Sequence, residues 1–478
     1  MDNSCDLLII NASAVIPRFG ILPETNILIE NGRIKALSKS PGNINAGKKI
    51  NVNGKYVLPG LIDPHVHYGV YTPVEKAATT ESRSASIGGV TTMIRMLRMN
   101  ETYRNIEKHL EASKGRHYID YAIHASILNS EHLNDIDYLR SIGINSFKLY
   151  MNLGSDLNSI SMDLDPGSTG IRNGQVTVDK KLMVATIKKA SNDSSIVLIH
   201  AEDPDICSKK IRKEKENEKR GTTKKKPLRI WSDSRPPKSE AQSIYSTAQY
   251  ARQFDCDIYY VHVGSRLAVD TIINEREKSA SSIFIETCPH YLTHTIDYDS
   301  ITGKVVPPIR TKDDLERTWS ALENGIIDTI GSDHVANKLS TKRGEGDIWS
   351  ALSGFPGIST MLPVLLSKGV NEGRINIQRL SEVTSYNAAC IFGMYPKKGT
   401  IQVGSDADLT IVDLELKKKV SPDMLQSFSD YTIYDGWNLQ GWPVMTMVRG
   451  EVVMDYGQVI ESTLGHGKFV TRPSSIAM

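Results

Sequence analysis

The chain has 478 residues, 40% of them hydrophobic, and a formal net charge of +2. That length exceeds one ordinary domain and fits a large α/β barrel with a smaller unit attached. The near-balanced charge provides no bulk attraction to nucleic acid or to a membrane surface. Five scattered cysteines (Cys5, Cys207, Cys256, Cys288 and Cys390) form no CxxC pair and read as free thiols of a reducing compartment. No basic stretch precedes the short apolar segment after Met1, and no apolar run approaches the roughly 20 residues that span a bilayer. A soluble, cytoplasmic protein is expected.

Residues 7–11, 25–30 and 33–37 are short apolar or alternating runs, and Asn31-Gly32 between the last two is a hairpin-turn signal. Three short strands cannot bury a core alone. Strand-like partners recur at 400–403, 408–412, 444–449 and 451–455. A small β-sandwich domain built from both chain ends, residues 1–55 and 393–460, is therefore expected around an inserted barrel, residues 56–392. The mostly polar residues 461–478 are expected as an extended C-terminal tail that a neighbouring subunit would cover.

Eight strand-like runs follow inside the insertion, at 57–63, 91–97, 121–127, 146–151, 196–201, 258–263, 283–288 and 328–332. Charged, helix-compatible stretches alternate with them, at 101–116, 179–192, 239–254, 265–278 and 312–324. That alternation is the pattern of an α/β chain folded as a (β/α)8 TIM barrel. Residues 209–229 are dense in Lys and Arg. With no aromatic residue interleaved they do not suit nucleic-acid stacking, and they read as a solvated helix and loop.

The first barrel strand ends in His65-Val66-His67. Residues i and i+2 of a strand share a face, so the two imidazoles can bind one metal ion side by side. Alone, such a pair serves equally as a hydrogen-bonded couple. Later strand ends add His200, His262 and Asp333, and Lys148 lies within the fourth strand. Catalytic groups of a barrel collect where strands end, and four imidazoles with a carboxylate suit zinc. Asp333 alone would also serve as a helix cap. Lys148 is the most telling, because a bare ammonium in an apolar strand is costly. It becomes sensible if the amine has reacted with carbon dioxide to give a carbamate whose two oxygens bridge two cations. His124, His290, His294 and His334 also lie near strand ends and rank below these six, as residues that support the ligands or the fold.

In this order the residues resemble the amidohydrolase superfamily, and within it the cyclic amidases: hydantoinase, dihydropyrimidinase, allantoinase and dihydroorotase. The likeness runs through Pro59-Gly60-Leu61-Ile62-Asp63-Pro64-His65-Val66-His67, Gly88-Gly89-Val90-Thr91-Thr92, Ser146-Phe147-Lys148, His200-Ala201-Glu202 and Val261-His262-Val263. It continues through Glu286-Thr287-Cys288-Pro289-His290-Tyr291-Leu292, Gly331-Ser332-Asp333-His334 and Gly404-Ser405-Asp406-Ala407-Asp408-Leu409. The resemblance implies a distorted barrel with a β-sandwich and two divalent metal ions, zinc foremost. His65, His67 and Asp333 would hold the more buried ion and His200 and His262 the second. Carboxylated Lys148 and a hydroxide would bridge them. Asp333 would shuttle the proton from that hydroxide to the leaving ring nitrogen. Thr287 and Asn337 would contribute to substrate binding, and a homo-oligomer, tetramer or dimer, is implied.

Two positions bear on the ring. Dihydroorotases usually carry a carboxylate-binding arginine two residues after the second histidine, where this chain has Gly69. Hydantoinases place an oxyanion-binding tyrosine five residues after the lysine, where this chain has Leu153. Ser234-Arg235-Pro236-Pro237 resembles allantoinases as well as hydantoinases, whereas Gly441-Trp442-Pro443-Val444 leans towards hydantoinases. The expected function is metal-dependent opening of a cyclic amide or ureide. Allantoinase or an atypical dihydroorotase is the nearer alternative, and a metal-free scaffold that lost catalysis the more distant one. Neither nucleic acid nor membrane is expected as a partner.

Overall fold

The computed structural model of the protein describes residues 4–40, 44–192, 195–222 and 224–472. Gly60 is where the chain passes from one sheet to another. Tyr56–Pro59 pairs antiparallel with Leu409–Lys419 and parallel with Ser4–Ile16, whereas Leu61–His67 opens the barrel. A Cβ at residue 60 would run into the Thr91 side chain, and the Gly60 amide donates to the Asp408 carbonyl at 2.7 Å. The single run expected over 57–63 is thus two strands. Apolar residues continue through the break, so hydropathy alone did not reveal it.

The barrel strands are β1 (Leu61–His67), β2 (Val90–Leu97), β3 (Asp120–Ser126), β4 (Ser146–Tyr150), β5 (Ile196–His200), β6 (Ile258–Tyr260), β7 (Ile283–Thr287) and β8 (Thr329–Ile330), each parallel to the next. A ninth piece, β9 (His334–Val335), pairs parallel with β1. β8 and β9 are separated by Gly331, Ser332 and Asp333. The eighth stave is therefore broken in two: one half is bonded to β7, the other to β1, and the ring closes through the break. Gly331 is required there, because a Cβ would lie 2.9 Å from both the Glu286 carboxyl carbon and the His65 Cβ.

The chain ends form a separate nine-stranded sheet in which Leu409–Lys419 and Asn438–Val448 join the N-terminal strands through Tyr56–Pro59. Ile9, Ile27, Val57, Leu409 and Met447 are buried in its own apolar core. The strand expected at 400–403 is absent. Gly399 and Gly404, at φ of 80° and 93°, bracket a turn whose Ile401 is buried by its position rather than by strand pairing.

Helices cover the barrel with sequence-legible starts: Asp179 caps Lys180–Ser191, Asp203 caps Pro204–Lys219, Ser265 caps Arg266–Arg276, and Thr311 with Asp314 forms a capping box on Lys312–Glu323. The basic run at 209–229 falls on the largely solvated end of Pro204–Lys219 and the start of Pro227–Ser234. No helix among the described residues is long and apolar enough to cross a membrane. All five cysteines are buried and free.

Residues 461–472 do not extend away. Glu461 pairs with Arg83, the Lys468 amide donates to Asp120 at 2.8 Å, Val470 donates to the Tyr121 carbonyl at 2.8 Å, and the Arg472 guanidinium reaches the Ile123 carbonyl. The tail expected to be covered by a neighbour lies, through residue 472, across the N-terminal end of its own β3. Residues 473–478 fall outside the described residues.

One buried ion cluster ties sheet, barrel and tail together. Lys398 Nζ lies 2.7 Å from Asp120, 3.3 Å from Asp406 and 2.5 Å from Asp408, and Arg449 also pairs with Asp120. Asp120 opens β3, while Asp406 and Asp408 lead into the end sheet. The Lys398→Met variant, which leaves the carboxylates buried with only Arg449 for compensation, is expected to lose about 3–5 kcal/mol of stability. Denaturant unfolding followed by tryptophan fluorescence would read that loss.

Candidate metal centre

Strand alternation points Asp63, His65 and His67 of β1 to one face, the barrel interior, and all three are buried. Across the broken eighth stave, Asp333 brings its Oδ1 to 3.3 Å from His65 Nε2 and 3.4 Å from His67 Nε2. The three side chains have ligand atoms all within 4.8 Å of one another, close enough to hold one metal ion. The His262 ring lies 5.3 Å from that of His65 and 4.5 Å from that of His200, so the second imidazole pair adjoins the first. Lys148 is fully buried, and its Nζ has no hydrogen-bond partner among the described residues. All six residues singled out from the sequence are brought together. A second group, Asp120, Asp406 and Asp408, also gathers three ligand atoms within 4.8 Å, but there the Lys398 ammonium already stands as the cation.

Burial sets the protonation of this cluster. It drives the pKa of His67 down to about 3 and lowers those of His200 and His262, leaving neutral imidazoles, the form that ligates metals. Burial likewise brings the Lys148 amine down to about 7, against the pull of Glu286 and Asp333. Asp333 is an anion: burial opposes its charge, but His65 and His67 hold its pKa well below the ordinary carboxylate range.

The partners that fix these rings were not evident from sequence. Glu286, on β7, accepts from His65 Nδ1 at 2.7 Å, from the Tyr259 hydroxyl at 2.8 Å and from the His262 amide at 2.9 Å. The last bond holds His262 in a left-handed conformation, φ 43°; Asp333 is left-handed too, at 49°. Such non-glycine residues are strained and cluster at functional sites. His200 Nε2 lies 2.7 Å from Glu202, which also accepts from Arg235 at 2.8 Å. Burial pushes the Glu202 pKa up, and Arg235 and His200 more than offset it, to about 2. Glu202 and Glu286 stand in motifs noted above, but their partners lie on other strands and carry no local signature.

Three of the four lower-ranked histidines are hydrogen-bonded to other groups, and the fourth, His290, lies near enough to Asp333 to help lower its pKa. His124 is bonded to Ser146 and the Pro64 carbonyl, His334 to Glu81 and the Gly357 amide, and His294 to the Ile433 carbonyl. His290 packs against Tyr291 and Phe355. Thr287 donates its hydroxyl to the Val263 carbonyl, and its own carbonyl accepts from Gly331. Asn337 accepts from Tyr431 at 2.6 Å, while its amide nitrogen has no partner. Neither Thr287 nor Asn337 is on the wall of the cavity above the cluster. That cavity, of about 480 Å³, has His65, His67, His200, His262 and Asp333 at its floor. Tyr150, Leu153, Arg98, Arg235 and the two indoles Trp231 and Trp349 are on its walls.

The amidohydrolase family model matches residues 56–453. The chain belongs to the amidohydrolase family. It is 32% identical over 467 residues to an L-hydantoinase of Paenarthrobacter aurescens, covering 94% of this chain and 95% of that one. Among solved structures, the L-hydantoinase (dihydropyrimidinase) from Arthrobacter aurescens superposes with a TM-score of 0.87 at 30% identity, over 98% of this chain and 100% of that one. The dihydropyrimidinase from Brevibacillus agri does so with a TM-score of 0.86 at 27% identity, over 98% and 99%. In this amidohydrolase the orientation of His65 depends on Glu286. Glu286→Gln, which can no longer hold a charged partner to the His65 N–H, is expected to weaken metal retention about 10–100-fold. Competition against a chromophoric chelator would measure it.

Proposed function

We propose that this amidohydrolase hydrolyses a ring C–N bond of a cyclic amide or ureide, of the hydantoin or dihydropyrimidine type. The observation that supports this most is the meeting of His65, His67 and Asp333 with the unpaired Lys148 amine beneath an open cavity, in a chain related over nearly its full length to hydantoinases. The donor set suits two divalent ions, zinc foremost. His65, His67 and Asp333 would hold one ion, and His200 and His262 the other. Besides the Lys148 Nζ, His67 Nδ1 and His262 Nδ1 are buried without a partner. When bound, the ions would supply an activated water and polarise the amide carbonyl.

The chain's own residues do the rest. The Lys148 amine, whose pKa burial brings down to about 7, would in its neutral fraction attack carbon dioxide: an N–C bond forms, one C=O π bond opens, and a proton passes to solvent, giving a carbamate anion with two oxygens. Asp333, ionised and beside His65 and His67, takes a proton from the attacking water and delivers it to the departing ring nitrogen. Leu153 is on the cavity wall but has no donor to offer. Tyr150 shares the interior face of β4 with Lys148, and its buried hydroxyl has no partner. We assign it the hydrogen bond to the developing oxyanion, a preorganised donor in a site with little water. Trp231, Trp349 and Leu352 line the same cavity and would shield a bound ring from solvent.

The test is metal content after reconstitution with zinc and bicarbonate, then turnover of hydantoin, dihydrouracil, allantoin and dihydroorotate. About two ions per chain and opening of one ring is the expected result. A protein that takes up no metal would be the inactive scaffold instead. Lys148→Ala is expected to lose both metal and activity, and added propionate to restore part of each. Retention of both ions by that variant would show that no carbamate is needed.

A further inference from the structure

Two guanidiniums enter the cavity, and they are not equivalent. Arg235 is neutralised by the fully buried Glu202 at 2.8 Å. Arg98, just past the end of β2, has no carboxylate of its own. Its backbone amide donates to Asp163 Oδ2 at 2.7 Å, but its Nε stands 3.9 Å from that oxygen. Asp163 is already the partner of Arg95, whose Nε and terminal nitrogen both donate to Oδ1. One carboxylate thus faces two guanidiniums, and a surplus positive charge remains beside the cavity.

The Arg98 side chain is only 11% exposed, and its buried Nε has no hydrogen-bond partner. Neither of its terminal nitrogens is bonded to any described residue. Arg98 lines the cavity with His67, Tyr150 and Asp333. The Arg95 guanidinium occupies the space above Gly69, where any side chain would collide with it. A part-buried guanidinium with free N–H groups facing a ligand space is matched by a planar anion that accepts two bonds at once.

We infer that the ring opened by this enzyme carries an anionic substituent, a carboxylate, and that Arg98 binds it. This rests on the ring-opening reading and narrows the substrate to acidic cyclic amides or ureides. Arg98 is thereby a specificity-determining residue.

The experiment compares hydantoin-5-acetate with hydantoin-5-acetamide, which share a shape and differ by one charge. The full-length protein is loaded with zinc and bicarbonate, and both calorimetric binding and turnover are read. The acid is expected to bind at least about tenfold more tightly than the amide, the scale of a charge-assisted hydrogen bond. Arg98→Met is expected to bring the two affinities to within about twofold of each other, and Arg98→Lys to restore part of the preference. Metal content and unfolding midpoint establish that both variants are folded. Equal binding of acid and amide by the unaltered protein, or a preference that survives in Arg98→Met, would overturn the inference. Selective binding of the acid without turnover of either compound would instead overturn the ring-opening reading and leave the role of Arg98 standing.

Discussion

The seam at which the barrel closes rests on the Asp63 carboxylate. Asp63 lies on β1, two residues before the first histidine. Its Oδ1 accepts from the His65 amide at 3.1 Å and the Ser332 amide at 3.0 Å, and Oδ2 accepts from the Ser332 hydroxyl. It is fully buried, and burial raises its pKa to about 6 even against those donors. The broken eighth stave has few ladder bonds of its own to hold it to β1. Asp63 supplies two more from a side chain, both to Ser332. The same bonds fix the backbone on both sides of the candidate centre, so barrel closure and the placement of His65 opposite Asp333 are one constraint.

Glu286 and Glu202 extend this arrangement one layer outward. Each is a fully buried carboxylate that meets one imidazole nitrogen and is itself held by a further group, Tyr259 for Glu286 and Arg235 for Glu202. Fixing one ring nitrogen decides which nitrogen is left for a ligand. Placement therefore depends on four carboxylates, Asp63, Glu202, Glu286 and Asp333, which come from β1, the segment just past β5, β7 and the break in the eighth stave. The left-handed backbone at His262 and Asp333 is held by bonds to neighbouring strands: the His262 amide to Glu286, and Ser332 and His334 on either side of Asp333 to β1.

The sequence made some of this legible because the relevant physics is local. The i, i+2 parity of His65 and His67 needs only a strand, and capping residues such as Asp179, Asp203 and Thr311 announce their helices within four positions. The break at Gly60 was hidden because the residues on both sides are apolar, and hydropathy does not say which sheet a strand joins. The split of the eighth stave was hidden because two-residue strands are too short to have a period. Glu286 was hidden because its three partners are brought to it only by the closed barrel. The course of residues 461–472 depends on Asp120, Tyr121 and Ile123, far away in the chain, and a polar composition did not distinguish a docked segment from a free one.

The unsatisfied polar atoms of the interior bear on whether such a centre could be a relic. Buried polar groups are nearly always paired, and each one left without a partner destabilises the fold by about 1–3 kcal/mol. Around the cluster, Lys148 Nζ, His67 Nδ1, His262 Nδ1 and the Tyr150 hydroxyl are all buried without one. A scaffold maintained only for its shape would gain stability by replacing Lys148 with an apolar residue of similar length, since nothing in β4 requires an amine. A binding and catalytic centre has the opposite requirement, because groups already satisfied by protein partners cannot also serve a ligand or a transition state. Several of the unpaired groups among the described residues lie where four strand ends meet, beside carboxylates that are each bonded to an imidazole. That division of labour, rigid acids outside and unpaired bases inside, is what a working hydrolytic centre requires.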